Sequence, residues 1–520
     1  MNANSTLRAV VEPGGKGVVA HVGLHALGSF GDRLGLGDCL SAKVKATGER
    51  APLHDRGKVL TQAMLMLAGG GEACSDIEVL RAQPELFGSV PSDSTLYRTL
   101  RRLDPATVAG LDEAMAEVRA KVWRRSSATT GSAAVVLDID ASLVEIHSEN
   151  KEGTGPTYKG GFGFHPMLCF ADATGEALAG VLRPGNAGAN TVIDHLAVLD
   201  AAVAQLPADI AVGHQPSDVP ARARRAVMVR ADSAGCTHGF VHGARARNIG
   251  FAVVARSTAQ IHGAIVATLV EDRRWAPAIR QDGELRDGSA VAEITDLVDL
   301  GAWPDRTRLI VRREPLHPGA QTTLFPSLLF RYWGHYTDAA GDAVVLDAHM
   351  RAHAHVEDHI RRLKASGLLR FPFSDLEANQ AWLAVVRYAA DLVRWFQLLC
   401  LRGPLALAEP KTLRWQLWHT PARIVRRSRR HIVRILDGWP SADTVLDAYP
   451  AHRRPHLKSE KPGPPTPTGA PSAPRHHYRT TLAPARDPNT AAHYQINHQI
   501  PVLTAASDQH IAPHPAQVIS

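Results

Sequence analysis

An α/β fold is predicted for this 520-residue chain by three stretches and the order in which they occur. The first is 133–143, AAVVLDIDASL, an apolar and largely β-branched run that ends in Asp138 and Asp140. It reads as a buried strand that delivers carboxylates at its end. The second is 158–182, where YKGGFGFH leads into an apolar run over 166–171, a DATG turn at 172–175 and a return strand over 176–182. That is a hairpin signature. The third is an amphipathic helix over 190–206, with Val192, Leu196, Leu199, Val203 and Leu206 on one stripe, followed by a second buried run, 226–230, that again ends in an aspartate, Asp232.

Composition bounds the rest. Apolar residues make up 45% and charged residues 21%, which excludes wholesale disorder. There are 58 Lys and Arg against 51 Asp and Glu, a net charge of +7 that favours a polyanionic partner. None of the five cysteines falls in a C-x-x-C, which argues against a zinc knuckle or a disulfide frame, and the count suits a reducing cytoplasm. No apolar run reaches 18 residues and no signal-peptide core opens the chain, so a cytoplasmic protein without a membrane partner is expected.

Residues 1–17 are polar and Gly-rich and are expected to be frayed. From 18 to 130 the pattern is helical. A short helix is expected over 32–40, another over 54–69 with Val59, Leu60, Met64 and Leu67, and a third opening at Ser75 with Glu78 in the capping-box position. Next, Pro91-Ser92-Asp93-Ser94 leads into 95–103, where Leu96, Leu100 and Leu103 share one face and Arg98, Arg101 and Arg102 lie elsewhere. This is similar to a helix-turn-helix recognition helix, with arginines available to phosphate; the plainer alternative is a small bundle with a solvated basic face.

Strand, hairpin, helix, strand is the order that opens a ribonuclease H-like (retroviral-integrase-like) core, assigned here to 131–257. In that fold the first and fourth strands are neighbours, so Asp140 and Asp232 are expected side by side. Residues 258–343 break the alternation and read as a mostly β insertion. The core resumes over 344–402, with one long helix over 344–367 and an apolar, aromatic core helix over 379–401. A basic helical region is expected over 403–451: Lys411, Arg414, Arg423, Arg426, Arg427, Arg429, Arg430 and Arg434, with Trp415 and Trp418 interleaved. Beyond 452 the chain is rich in Pro and His without any period, and disorder is expected.

The chemistry is expected from three acids: Asp140, Asp232 and Glu357. At 100° per residue, His353, Glu357, Arg361 and Lys364 share a helix face, beside an apolar stripe of Val356, Ile360 and Leu363. Three carboxylates suit Mg²⁺, a hard cation that prefers oxygen. Two such ions activate a water or a 3′-hydroxyl and stabilise the leaving oxygen of a phosphodiester displacement. Asp140 is expected to bridge both, with Asp232 and Glu357 taking one each. Asp138 lies on the same face as Asp140 and spacing does not separate them. Any one strand-end aspartate is more often a turn or cap residue. The histidines at 349, 353, 355 and 359 do not have zincin spacing, because Val356 separates His355 from Glu357. The glycines at 160, 161 and 163 lack the Lys-Ser or Lys-Thr of a P-loop.

DIDAS at 138–142, YKGGFGFHP at 158–166, RADSAG at 230–235, RLIVRREPLHPGAQ at 308–321 and HAHVEDHIRRLKASGL at 353–368 together resemble DDE-class insertion-sequence transposases of bacteria, in the branch, common in actinobacteria, with a β-strand insertion before the third acid. The resemblance covers about 18–450. It implies a ribonuclease H-like core, two Mg²⁺ ions (Mn²⁺ able to substitute), terminal inverted repeats in double-stranded DNA as substrate, a homodimer in the synaptic complex, and association with the nucleoid. It selects Asp140 over Asp138, which becomes a neighbour of the site, and puts Asp232 and Glu357 beside Asp140. In the family's third motif Glu357 and Lys364 fit, whereas His353 stands in the Arg slot and Met350 in the Tyr slot. Arg361, Lys364, Arg98, Arg101, Arg102, Arg426, Arg427 and Arg430 are the expected phosphate contacts. The tail beyond 452 has no counterpart and suggests a read-through or frameshifted end. The alternative function is an inactive or domesticated relative that only binds DNA.

Overall fold

The computed structural model describes residues 14–44, 53–126, 134–148, 150–211, 226–269, 272–316, 330–428 and 430–449. The tail expected to be disordered, and most of the N-terminus expected to be frayed, lie outside the described residues.

The N-terminal part is helical apart from the two-residue strand β1 (Val18–Val19). The helix expected over 32–40 is two helices, α1 (Val22–Leu34) and α2 (Leu36–Lys43). They are separated by Gly35, whose φ of 74° is the left-handed conformation that ends helices. In α3 (Arg56–Ala68) the Asp55 carboxylate accepts from the Lys58 amide as N-cap. The capping box expected at Ser75 is replaced by a 3₁₀ turn, Cys74–Ile77, in which Asp76 accepts from the amides of Glu72 and Ala73. Short helices α4 (Glu78–Arg81) and α5 (Pro84–Phe87) follow. Ser92 then caps α6 (Asp93–Leu100), and Leu96, Leu100 and Leu103 are all buried. Asp104 and Pro105 open α7 (Pro105–Trp123).

A nine-stranded mixed sheet forms the centre. Its first strand in the chain is β2 (Val135–Ala141), third from one edge of the sheet. Between β2 and the next strand of the sheet, β3 (Val144–Glu145), β4 (Gly155–Pro156) and β5 (Phe162–Phe164) form a separate small sheet. β6 (Met167–Ala171) and β7 (Glu176–Val181) are the predicted hairpin. After α8 (Val192–Ala204) and α9 (Ala208–Ala211) comes β8 (Val227–Ala231), parallel to β2 and beside it, then α10 (His238–Ala246) and β9 (Gly250–Val254), parallel to β8. The first and fourth strands are therefore neighbours.

The expected β insertion opens with a helix, α11 (Ala259–Thr268). Its strands, β10 (Ala276–Ile279), β11 (Leu285–Glu293), β12 (Arg308–Pro315) and β13 (Phe330–Thr337), do not form a separate sheet. They extend the central one, because β13 pairs antiparallel with the open edge of β9. The long helix expected over 344–367 is interrupted. α12 (Ala343–Arg351) passes through a 3₁₀ turn, Ala352–Ala354, into α13 (His355–Leu363) and a π-type turn, Lys364–Leu368. In that turn Gly367 has φ 109°, and a Cβ there would lie 2.7 Å from Leu67 Cδ2 of α3. Gly367→Ala is expected to destabilise the protein by about 1–3 kcal/mol through backbone strain and this clash, read as a lowered denaturation midpoint; an unchanged midpoint would show that α3 gives way freely.

The core helix α14 (Leu376–Cys400) packs against α3, α7 and β7. One hydrophobic cluster therefore runs from α1 through the sheet to Trp382, Trp395 and Phe396. Inside it lies an ionic node. Arg119 of α7 bonds Glu176 at 2.8 Å and Asp391 at 2.5 Å, and Glu176 also accepts from the indoles of Trp123 and Trp395, at 2.6 Å each. All three charged side chains are at most 1% exposed.

The basic region, expected to be helical, is largely a β-hairpin. α15 (Pro410–Leu413) and a π-type turn, Arg414–Trp418, lead into β14 (Ala422–Arg427) and β15 (Arg430–Ile435), and α16 (Ala442–Ala448) follows. β1 pairs with the outer edge of β14. Each strand carries an adjacent β-branched pair, Ile424-Val425 and Ile432-Val433, a strand signal that the density of arginine obscures.

Candidate active site

The site is built at the carboxyl ends of two parallel strands, where α/β sheets commonly present ligand-binding groups. β2 and β8 run in register with Ile139 opposite Ala231, so Asp140 and Asp232, each one residue further on, lie just past that pairing, Asp140 still paired with Leu168 of β6. Both are half-buried. The Asp232 carboxylate accepts from the Ala234 amide at 2.8 Å, which fixes the bend after β8. Burial and the Asp232 carboxylate push the Asp140 carboxyl up to about 6; the Ala141 amide and His353 draw it down, and Glu357 adds to the rise. Glu357 is exposed in the first turn of α13, while Val356, Ile360 and Leu363 bury the predicted stripe of that helix.

Asp138 occupies a different setting. It is fully buried, and Arg230 donates to both of its oxygens, at 2.8 and 2.7 Å. His353 Nδ1 lies 2.7 Å from Oδ1. Burial opposes ionisation, but the hydrogen bonds from His353 and Arg230 outweigh it and hold the carboxyl below the usual range. Arg230 also pairs with Asp172 at 3.0 Å and donates to the His349 carbonyl at 2.6 Å. This clamp ties β2, β8 and the junction of α12 with α13 into one unit. Both oxygens of Asp138 are occupied by cationic or donor groups, whereas Asp140 has no ion-pair partner among the described residues. Arg230 and Asp172 are the residues that sequence reasoning missed. The signal was Arg230 two positions before Asp232, but its meaning depends on the register that sets it opposite Asp138.

The face expected to carry His353, Glu357, Arg361 and Lys364 is divided by the turns on either side of α13. His353 points inward to Asp138. Arg361 is exposed and bonded to Asp358 at 2.7 Å and Glu409 at 3.2 Å. Lys364 is half-buried; burial and then Lys159 lower its pKa, and Asp140 pulls it the other way. Arg98 and Arg102 are exposed, whereas Arg101 pairs with Asp375 at 3.0 Å. Arg426, Arg427 and Arg430 are exposed on the hairpin. The helix histidines do not converge: His353 meets Asp138, His355 lies 3.2 Å from Asp172, and His359 packs on Phe170.

The donor set of Asp140, Asp232 and Glu357 is all oxygen and mutually repulsive, which fits a hard divalent cation rather than zinc or copper. Among the described residues, no three His, Cys, Asp or Glu side chains stand close enough to hold one ion as they are. No helix among the described residues is long and apolar enough to cross a membrane.

Comparison with known proteins bears on what this site does. No curated protein matches the chain. A cryo-EM structure of a piggyBac transposase synaptic complex with hairpin DNA is similar at a TM-score of 0.33 and 11% identity, covering 72% of this chain and 76% of that one, a likeness too slight to carry any argument. Residues 2–454 match the family described as Transposase DDE domain group 1, so the chain belongs to that family of transposases.

Proposed function

We propose that this transposase binds the terminal inverted repeats of an insertion sequence and cuts and joins DNA in a ribonuclease H-like core, with Asp140, Asp232 and Glu357 as its acids. The observation that carries the reading is the pair Asp140 and Asp232 at the ends of adjacent parallel strands, with Glu357 near enough to act on Asp140. The neighbouring first and fourth strands support the core assignment.

The family generally uses a divalent metal. Two Mg²⁺ ions, or Mn²⁺ in their place, would supply activation of the attacking oxygen and neutralisation of the leaving one. The chain's part would be to hold them, through the carboxylates of Asp140, Asp232 and Glu357. Asp138, Arg230 and His353 keep the two strand ends and the α12–α13 junction in register. Lys364, close enough to Asp140 to feel its charge, meets a phosphate of the scissile strand, and Arg98 and Arg102 of the helical segment meet the flanking duplex. Arg101 and Arg361 contribute only by exchanging their carboxylate partners for phosphate. The helical segment 18–130 is the end-binding part, the strands of 258–343 are an insertion into the core, and the working form is a homodimer that synapses two ends on nucleoid DNA. The bacterial, actinobacterial-type branch rests on the quoted motifs.

The test is cleavage of duplex DNA carrying the sequences that flank this gene. With Mg²⁺ or Mn²⁺, nicks are expected at the element's ends and not in scrambled DNA. Binding without cleavage in either metal would overturn the reading and leave a DNA-binding relative in its place.

A further inference from the structure

The hairpin carries an unusual arrangement of charge. Its register sets Arg423 opposite Arg434 and Arg427 opposite Arg430. Like charges directly opposite one another destabilise a strand pair, and here two such pairs lie within one six-residue ladder. All four arginines are exposed, and none has a carboxylate partner among the described residues. Alternation puts them on one face together with the half-exposed pair Val425 and Ile432. The other face carries Ala422, Ile424, Val433 and Ile435, which pack on the core, with Arg426 opposite His431 near the turn. One face is thus anchored to the protein and the other presents two parallel rungs of positive charge.

We propose that this ribbon is a binding site for the sugar–phosphate backbone of duplex DNA, lying across a groove with one arginine rung on each strand. The proposal rests on the reading of the chain as a DNA-binding transposase and adds which residues of the basic region do the binding. The dimensions fit. Arg423 and Arg427 are four residues apart, about 13 Å at the rise of an extended strand. The major groove is about 12 Å wide and admits a two-stranded ribbon. Phosphate oxygens between the paired guanidinium groups remove the repulsion that the free hairpin carries. Val425 and Ile432 then face the groove without hydrogen-bonding groups, so the ribbon grips without reading sequence. Arg426 and His431 lie on the anchored side and belong to neither rung.

The experiment measures binding of the full chain to a duplex of about 30 base pairs in EDTA across a salt series, so that no cleavage chemistry enters. R423Q/R434Q and R427Q/R430Q are compared with a charge-matched pair on the insertion, R280Q/R331Q. Each rung variant is expected to bind about tenfold more weakly at moderate salt and to flatten the slope of log K against log salt by about 1.8, because each arginine neutralises one phosphate. The loss should be equal for end-containing and scrambled duplex. Melting temperature should hold or rise, because a repulsive pair is removed; a fall in melting temperature would mark the arginines as structural and overturn the proposal. So would rung variants that change the slope no more than the insertion pair, or that alter sedimentation while leaving DNA binding intact, which would make the ribbon a contact between copies of the chain. An Asp140→Asn protein that fails to cut yet binds like wild type tests the carboxylates alone, so the two readings can fail separately.

Discussion

Asp140→Asn, Asp232→Asn and Glu357→Gln are each expected to lower strand cleavage by about 10³-fold or more while DNA binding stays within about twofold of wild type. The substitutions preserve shape and remove one negative charge. A neutral amide is a poor ligand for a hard cation, and losing a metal-held oxygen in a phosphodiester displacement costs several kcal/mol of transition-state stabilisation. Binding should survive because these carboxylates repel phosphate when no cation is present; removing one makes the approach of DNA slightly easier. Single-turnover cleavage and equilibrium binding, measured on the same preparation, separate the two effects. Cleavage that persists in any one variant removes that residue from the site. Asp138→Asn is the informative contrast: it weakens a buried clamp to Arg230 and His353 rather than a ligand shell, so it should lower thermal stability together with activity.

Arg119→Met is expected to lower stability by about 3–5 kcal/mol, the usual cost of leaving a buried charge without its partner. Glu176 and Asp391 would remain in the interior between α7, β7 and α14 without the guanidinium that bonds them both, Arg387 and Arg394 being the nearby cations left. The sign of the pH dependence follows from Asp391. Burial pushes its carboxyl up to about 7, with Arg119 pulling down and Glu176 pushing up. A carboxyl raised in the folded state contributes stability that is fully present below its unfolded value of about 4 and is lost as pH rises through the folded one. Wild type should therefore lose some stability between about pH 4 and pH 7 from this group. Without Arg119 the folded value rises further and the loss extends to higher pH. Melting at pH 5.5 and pH 8.5 reads this directly: the variant should lie closer to wild type at the lower pH. An equal gap at both would mean that water reaches the node.

Much of what positions the candidate site is legible in the amino-acid sequence because its parts are local. A β-branched run ending in an acid announces a strand end, as at Asp140 and at Asp232. The stripe Val356, Ile360, Leu363 announces the buried face of α13. Less is legible wherever meaning depends on what lies across from a residue. Asp138 and Asp140 share a strand, a face and a chemistry. They differ because the register of β8 sets Arg230 against Asp138, a fact absent from either segment alone. Grouping His353 with Glu357 on one helix face assumes an unbroken helix; the turns at Ala352–Ala354 and Lys364–Leu368 redirect its ends. The arginine-rich hairpin reads as helix in sequence because its arginine content outweighs two short β-branched pairs, Ile424-Val425 and Ile432-Val433.

By itself the sequence determined the order of the main strands and helices from β2 to β9, the strand-end aspartates and the net positive charge, since periodicity and composition are properties of contiguous chain. Tertiary structure decided which aspartate is held by an arginine, that the insertion extends the central sheet through β13 and β9, and that the arginines at 423, 427, 430 and 434 stand in two rungs on one face. The first two are matters of register between segments distant in sequence, and the third is the register of one hairpin. Backbone hydrogen bonds and a shared core set that register, and no single stretch of chain encodes it.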